Sequence, residues 1–253
     1  MTYHMMVNIS GYKSASQRAR IFSEEWVASQ FRCPRCILPL EQTPNNTAAR
    51  DFVCHGCKQG FELKSKLGAF GNMVTDGAYN SMLKAVRSEN CPNLLLLSYS
   101  PDYQVRHLVA IPRRFLIEEI VVPRKPLGSH CRRAGWQGCN LNIGLLPPDG
   151  LINCVHEYNA LPVEHIQMEW NRTAFLDDIK LGARGWLAVT MKLIRQLQKD
   201  QFTLQDLYKL ELEAQKAFPQ NSHVRAKLRQ QLQILREQRW LNFEGNGNYH
   251  LIN

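Results

Sequence analysis

Four cysteines and three charged residues in the first quarter of the chain have the types and spacing to do chemistry. Cys33 and Cys36 form a "CPRC" pair, and Cys54 and Cys57 form a "CHGC" pair. Two such pairs are the ligand pattern of one structural, tetrahedral Zn²⁺ site. Asp51 stands just before the second pair, and Glu62 and Lys64 follow it, within "DFVCHGCKQGFELKSK". Two residues apart on a strand, Glu62 and Lys64 project from one face. A zinc-bound turn between Asp51 and Glu62 folds the flanking segments into a hairpin and fixes the separation of the two carboxylates. Asp51 and Glu62 then suit Mg²⁺, a hard cation that takes oxygen ligands. A metal held this way binds a scissile phosphate and lowers the pKa of an attacking water, while Lys64 orients that water or offsets developing charge. The chemistry indicated is phosphodiester hydrolysis. Glu-x-Lys alone is as common as any exposed alternating strand, so the surrounding elements must decide.

Those elements are legible. "SASQRARIFSEEWVAS" opens on a capping pattern, Ser14 and Gln17, and repeats apolar residues at Ile21, Phe22, Trp26 and Val27, as an amphipathic helix does. "FELKS" alternates with period two, the mark of a strand. "DGAYNSMLKAVRSEN", residues 76–90, reads as a helix, and "NLLLLSYS" as a buried strand followed by a third, "VRHLVAIP". The fold class is α/β: a mixed sheet flanked by helices, with the four-cysteine zinc site inserted. Residues 123–162 read as loop-rich, with "KPLGSHCRRAGWQGCN" as their most basic portion. Three further helices, at 185–199, 203–218 and 222–240, and a hairpin around Gly-Asn-Gly make a C-terminal winged helix. The domains are expected at 1–180 and 184–253.

The 253 residues carry a net charge of +9 and 44% hydrophobic residues. That is room for two modest cores, and the excess of Lys and Arg suits a polyanion such as nucleic acid. No apolar run nears the ~18 residues of a membrane span, and the N-terminus lacks a secretory signal, so a cytoplasmic location follows. In the last helix, the stripe Val224, Leu228, Leu232 and Leu235 leaves Arg225, Arg229, Gln230 and Gln233 on the opposite side. Such a face can enter a major groove, where Arg reads guanine and Gln adenine, with His223 near a phosphate at its start. Trp186 and Trp240 are expected in the winged-helix core, and Cys91, Cys131, Cys139 and Cys154 as core or incidental residues.

"DFVCHGCKQGFELKSK", with "SQRARIFSEEWV", "RCPRC", "DGAYNSMLKAV", "RKPL", "RRAGWQGCN" and "RQQLQILR", resembles the DpnI-like family of methyl-directed type II restriction endonucleases almost end to end. The resemblance implies a PD-(D/E)xK nuclease domain plus a winged helix, and Mg²⁺-dependent cutting of double-stranded DNA at G-A-T-C sites whose adenine is methylated. It matches Asp51, Glu62 and Lys64 to the catalytic acid, acid and lysine, and the four cysteines to the zinc ligands. Arg50 departs from the proline of the motif's name.

Burying one methyl group stabilises by only about 0.8 kcal/mol, while tenfold discrimination needs about 1.4. Strong discrimination therefore needs repeated readout or penalties against the unmethylated base, and two DNA-binding domains meet that need. The resemblance points to Trp136, an apolar face beside Arg132 and Arg133, as the methyl sensor of the nuclease domain. One winged helix and one active site fit a monomer that nicks each strand in turn. The alternatives are a zinc-containing winged-helix transcription regulator without cleavage activity, which leaves Asp51, Glu62 and Lys64 without a task, and a repair nuclease indifferent to methylation.

Overall fold

The computed structural model describes residue 11, residues 14–44 and residues 50–252; the segment read as lacking a secretory signal lies outside them. In chain order the regular elements begin with α1 (Ala15–Gln30), β1 (Leu40–Gln42), β2 (Phe52–Cys54), β3 (Gly60–Leu67) and β4 (Met73–Ala78). Next come α2 (Tyr79–Val86), β5 (Asn93–Tyr99), β6 (Val105–Ile111), β7 (Val121–Pro123), β8 (Gly138–Asn142), β9 (Ile152–His156) and β10 (Asn159–Ala160). The chain ends with α3 (Val163–Arg172), α4 (Leu181–Gln196), β11 (Gln201–Thr203), α5 (Leu204–Tyr208), α6 (Glu211–Ala217), α7 (Val224–Glu237), β12 (Leu241–Gly245) and β13 (Asn248–Leu251). No helix among the described residues is long and apolar enough to cross a membrane.

Seven strands form the main sheet in the order β1-β2-β3-β5-β6-β9-β10. Only the β3–β5 pair is parallel, so the sheet is mixed as expected. Every residue of β5 is buried because both faces are covered. Its alternate leucines divide: Leu95 and Leu97 join Phe22, Trp26 and Trp170 on the α1 and α3 side, whereas Leu94 and Leu96 join a second core with Met82, Phe115 and Leu141. Each fully buried Leu or Phe contributes roughly 1.5–3 kcal/mol, so these two cores decide which face of β3 points where. Ser14 caps α1 by accepting from the Gln17 N–H at 3.1 Å.

The second core runs on into α4, α6 and α7. Gly185 permits this approach, since a Cβ there would stand 2.5 Å from the Glu119 carboxylate. Arg195 of α4 also grips the buried Asp149 with two bonds, at 2.9 and 2.7 Å. Helices α4 to α7 and the three-stranded sheet β11-β13-β12 complete the C-terminal helix-turn-helix unit.

Two expectations need correction. The helix expected at 76–90 spans only Tyr79–Val86, because Asp76 to Ala78 are drawn into strand pairing with β8. The loop-rich stretch 123–162 also holds β8, β9 and β10, strands too short for their alternation to stand out. The helix expected at 203–218 breaks at Lys209 and Leu210 into α5 and α6. The Thr203–Asp206 capping box at the start of α5 is legible as Thr-x-x-Asp, whereas β11, three residues long, is too short for periodicity to mark it.

Candidate active site and nucleic-acid interface

The two cysteine pairs adopt the same turn. Ile37 N–H donates to the Cys33 carbonyl and Lys58 N–H to the Cys54 carbonyl, both at 2.8 Å. Each turn closes on a residue in the left-handed region, Ile37 at φ 63° and Lys58 at φ 60°. A β-branched residue adopts that conformation only when its surroundings impose it. The turns bring Cys33 Sγ within 3.6 Å of Cys57 and Cys36 Sγ within 3.2 Å of Cys54. All four sulfurs lie within 4.8 Å of one another. Thiolates about 2.3 Å from one tetrahedral centre would be spaced similarly, so the cluster has the dimensions of a zinc site. Burial raises the pKa of Cys33. At Cys54 burial also acts upward, but hydrogen bonds led by the Cys57 backbone N–H outweigh it and bring the thiol down to about 7.

Downstream of the second turn the hairpin forms as the spacing requires, with Phe52 opposite Phe61 and Val53 opposite Gly60. Asp51 N–H donates to the Phe61 carbonyl at 2.9 Å. The Asp51 carboxylate in turn accepts from Leu63 N–H at 2.7 Å, so it is pinned to the residue between Glu62 and Lys64. Asp51 lines a cleft with Arg20 and Ser65 under α1, whereas Glu62 lines a smaller one with Asp76 and Met82 under α2.

Glu62 and Lys64 lie opposite Leu94 and Leu96 of β5 and face the second core, away from α1. Lys64 Nζ donates to Glu62 Oε1 at 2.5 Å and to Asp76 Oδ1 at 2.6 Å. Burial raises the Glu62 pKa; the Lys64 charge pulls it down, the charges of Asp76 and Asp51 push it up, and the net effect is upward. For Lys64, burial works downward, yet Glu62 and Asp76 together prevail and keep the amine protonated. Asp76 was missed because residues 76–90 were read as a helix. The Asp-Gly pair at 76–77, a turn signal, was the available clue.

Arg132, Arg133 and Trp136 sit in the connection between β7 and β8. Pro123 pairs with Cys139, so this connection is the end of a hairpin. Leu127 N–H donates to the Trp136 carbonyl and Gly135, at φ 77°, donates back to Leu127. Trp136 is half-buried, with the guanidinium of Arg133 4.3 Å and that of Arg124 5.8 Å from its ring centre. Arg132 and Arg133 are exposed. Arg124 joins this cluster although the sequence reading passed over it.

On α7 the stripe Val224, Leu228, Leu232 and Leu235 is buried, and His223, Arg225, Arg229, Gln230 and Gln233 are exposed. Several of these side chains already have partners. Arg225 forms a two-point ion pair with Glu211 and lies 5.0 Å over the Tyr208 ring, while Arg229 donates to the Tyr208 hydroxyl at 3.1 Å. Gln230 accepts from Lys227 Nζ at 2.8 Å, and Gln233 donates to Glu237 at 3.2 Å. Trp186 and Trp240 are in the core as expected, Trp186 stacked on Phe218 at 3.9 Å.

Comparison with known families matches residues 1–179 to the DpnI, Dam-replacing family and residues 182–251 to the DpnI C-terminal, Dam-replacing HTH domain. The chain belongs to the Dam-replacing family. Its two matched segments meet between Ile179 and Gly182, just where α4 starts. Within this Dam-replacing protein, the helix-turn-helix segment includes the exposed face of α7, and the N-terminal segment includes the cysteine cluster and β3.

Proposed function

We propose that this protein is a methyl-directed type II restriction endonuclease that hydrolyses double-stranded DNA at G-A-T-C sites containing 6-methyladenine. The observation that carries the reading is the pinning of Asp51 to Leu63, between Glu62 and Lys64, at the end of a cysteine-clamped hairpin in a Dam-replacing chain. A transcription regulator has no use for that arrangement.

Asp51 and Glu62 line clefts on different faces of β3, linked by the Leu63 N–H that Asp51 accepts and by the charge that Asp51 adds, after burial and Asp76, to the upward push on Glu62. Both offer the hard carboxylate oxygens that Mg²⁺ takes, and a divalent cation held by the two would relieve that repulsion at the edge of the strand. When bound, Mg²⁺ supplies Lewis acidity toward the scissile phosphate and its attacking water. Lys64 holds its positive charge beside Glu62 and offsets charge developing on the phosphate. Zn²⁺ on Cys33, Cys36, Cys54 and Cys57 is structural and keeps the hairpin in register. Arg132, Arg133 and Trp136 read the methylated adenine from the nuclease domain, residues 1–180. His223, Arg225, Arg229, Gln230 and Gln233 read the site again from the winged helix, residues 184–253. The enzyme works as a cytoplasmic monomer that cuts the strands in turn.

End-sequencing of methylated plasmid digested in Mg²⁺ tests the reading. Ends confined to methylated G-A-T-C are expected; scattered ends, or ends at branched or damaged positions, would replace it with a repair nuclease.

A further inference from the structure

Asp76 belongs to the second, three-stranded sheet, β4-β8-β7, and its strand position is set by pairing opposite Cys139. A bulge follows between Asp76 and Ala78, and Asp76 Oδ1 accepts from the Gly77 N–H there at 2.6 Å. The same oxygen accepts from Lys64 Nζ at 2.6 Å. The Asp76 side chain is only 6% exposed, against 23% for Lys64. Its other oxygen, Oδ2, is buried with no hydrogen-bond partner among the described residues. Burying an ionised carboxylate is costly unless a charge partner is present, and Lys64 is the cation it touches.

A lysine ammonium is a point charge on a flexible four-carbon stem, so one contact does not fix it. Glu62, the nearer anchor, is also the carboxylate assigned to the metal. Asp76 reaches Lys64 from a different sheet and has no such second duty. We infer that Asp76 is a positioning residue, which holds the Lys64 ammonium in its working place from across the cleft under α2. The inference deepens the nuclease reading and rests on it for the role of Lys64.

The test has two arms. In the first, Lys64 in Asp76→Asn and in the unaltered chain is pulse-labelled with acetic anhydride at fixed pH and quantified by mass spectrometry. The exposed Lys58 and Lys66 serve as references. Lys64 should label at least about threefold faster in Asp76→Asn, because the amine loses one of the two carboxylates that hold and shield it, while the references stay constant. Equal labelling of Lys64 overturns the inference. If all three lysines speed up together, the fold has loosened, and Asp76→Glu decides: slow labelling of Lys64 there supports the grip, and fast labelling refutes it. In the second arm, single-turnover cutting at saturating methylated DNA should slow about tenfold or more in Asp76→Asn with the Kd for DNA within about twofold. Equal losses in binding and cutting, or no loss, would refute positioning. If the unaltered chain does not cut at all, the nuclease reading fails while the labelling arm still judges the grip.

Discussion

Stripping metal from the four-cysteine cluster should cost the N-terminal segment the hairpin that carries Asp51 and Glu62. Cys33 and Cys54 are fully buried, and both turns end on residues forced into the left-handed region, Ile37 and Lys58. The four sulfurs lie within 4.8 Å of one another on that backbone, a spacing that thiolates hold only around a shared cation. Structural zinc contributes about 10–16 kcal/mol in small peptide sites, as much as the whole stability of about 5–15 kcal/mol expected for a domain. The edge strands β1 and β2 can peel away while β3 stays paired to β5, so we take about 5 kcal/mol as the loss felt by the cooperative unit, or roughly 10–20 °C in melting temperature. The assay pairs thermal unfolding with zinc release by a strong chelator, and with hydrogen exchange across β2 and β3. One zinc per chain, a drop of that size and exchange that begins in β2 before β3 are expected. A metal-free chain melting within about 2 °C of the loaded one would refute the structural role.

Other consequences are as specific. Asp149→Ala leaves Arg195 half-desolvated, its side chain 20% exposed, and should cost about 3 kcal/mol, seen as roughly 6–12 °C less in thermal unfolding. Arg225→Ala should weaken DNA binding about tenfold in a titration at fixed salt, whereas Glu211→Ala, which frees Arg225, should leave binding equal or tighter. Glu62 must be ionised to hold a cation, and its pKa is raised by burial, so cutting at sub-saturating Mg²⁺ should fail on acidification at a pH above the usual carboxylate value of 4.5. Added Mg²⁺ should push that limb back down.

Local signals carried much of this protein. The cysteine spacing, the period-two run of β3 and the stripe of α7 are consequences of covalent spacing and helix or strand geometry, and each appears where the sequence put it. What escaped was set by contacts distant in sequence. Asp76 looks like the start of a helix until β8, 62 residues on from Gly77 at Cys139, claims it for a sheet. Arg124 reads as one more basic loop residue until the β7–β8 hairpin folds it over Trp136. Arg225 of α7 is free for base reading as far as the helix pattern goes, but Glu211 of α6 already holds it. Which cleft each carboxylate lines depends on how α1 and α2 cover the two faces of β3, and no short-range pattern encodes that.

The most direct single measurement is cleavage of one plasmid, grown with and without adenine methylation at G-A-T-C, by the unaltered chain and by Glu62→Ala in Mg²⁺. Cutting of the methylated plasmid alone, abolished by Glu62→Ala while DNA binding persists, is the result required. Equal cutting of both plasmids, or undiminished cutting by Glu62→Ala, would contradict it.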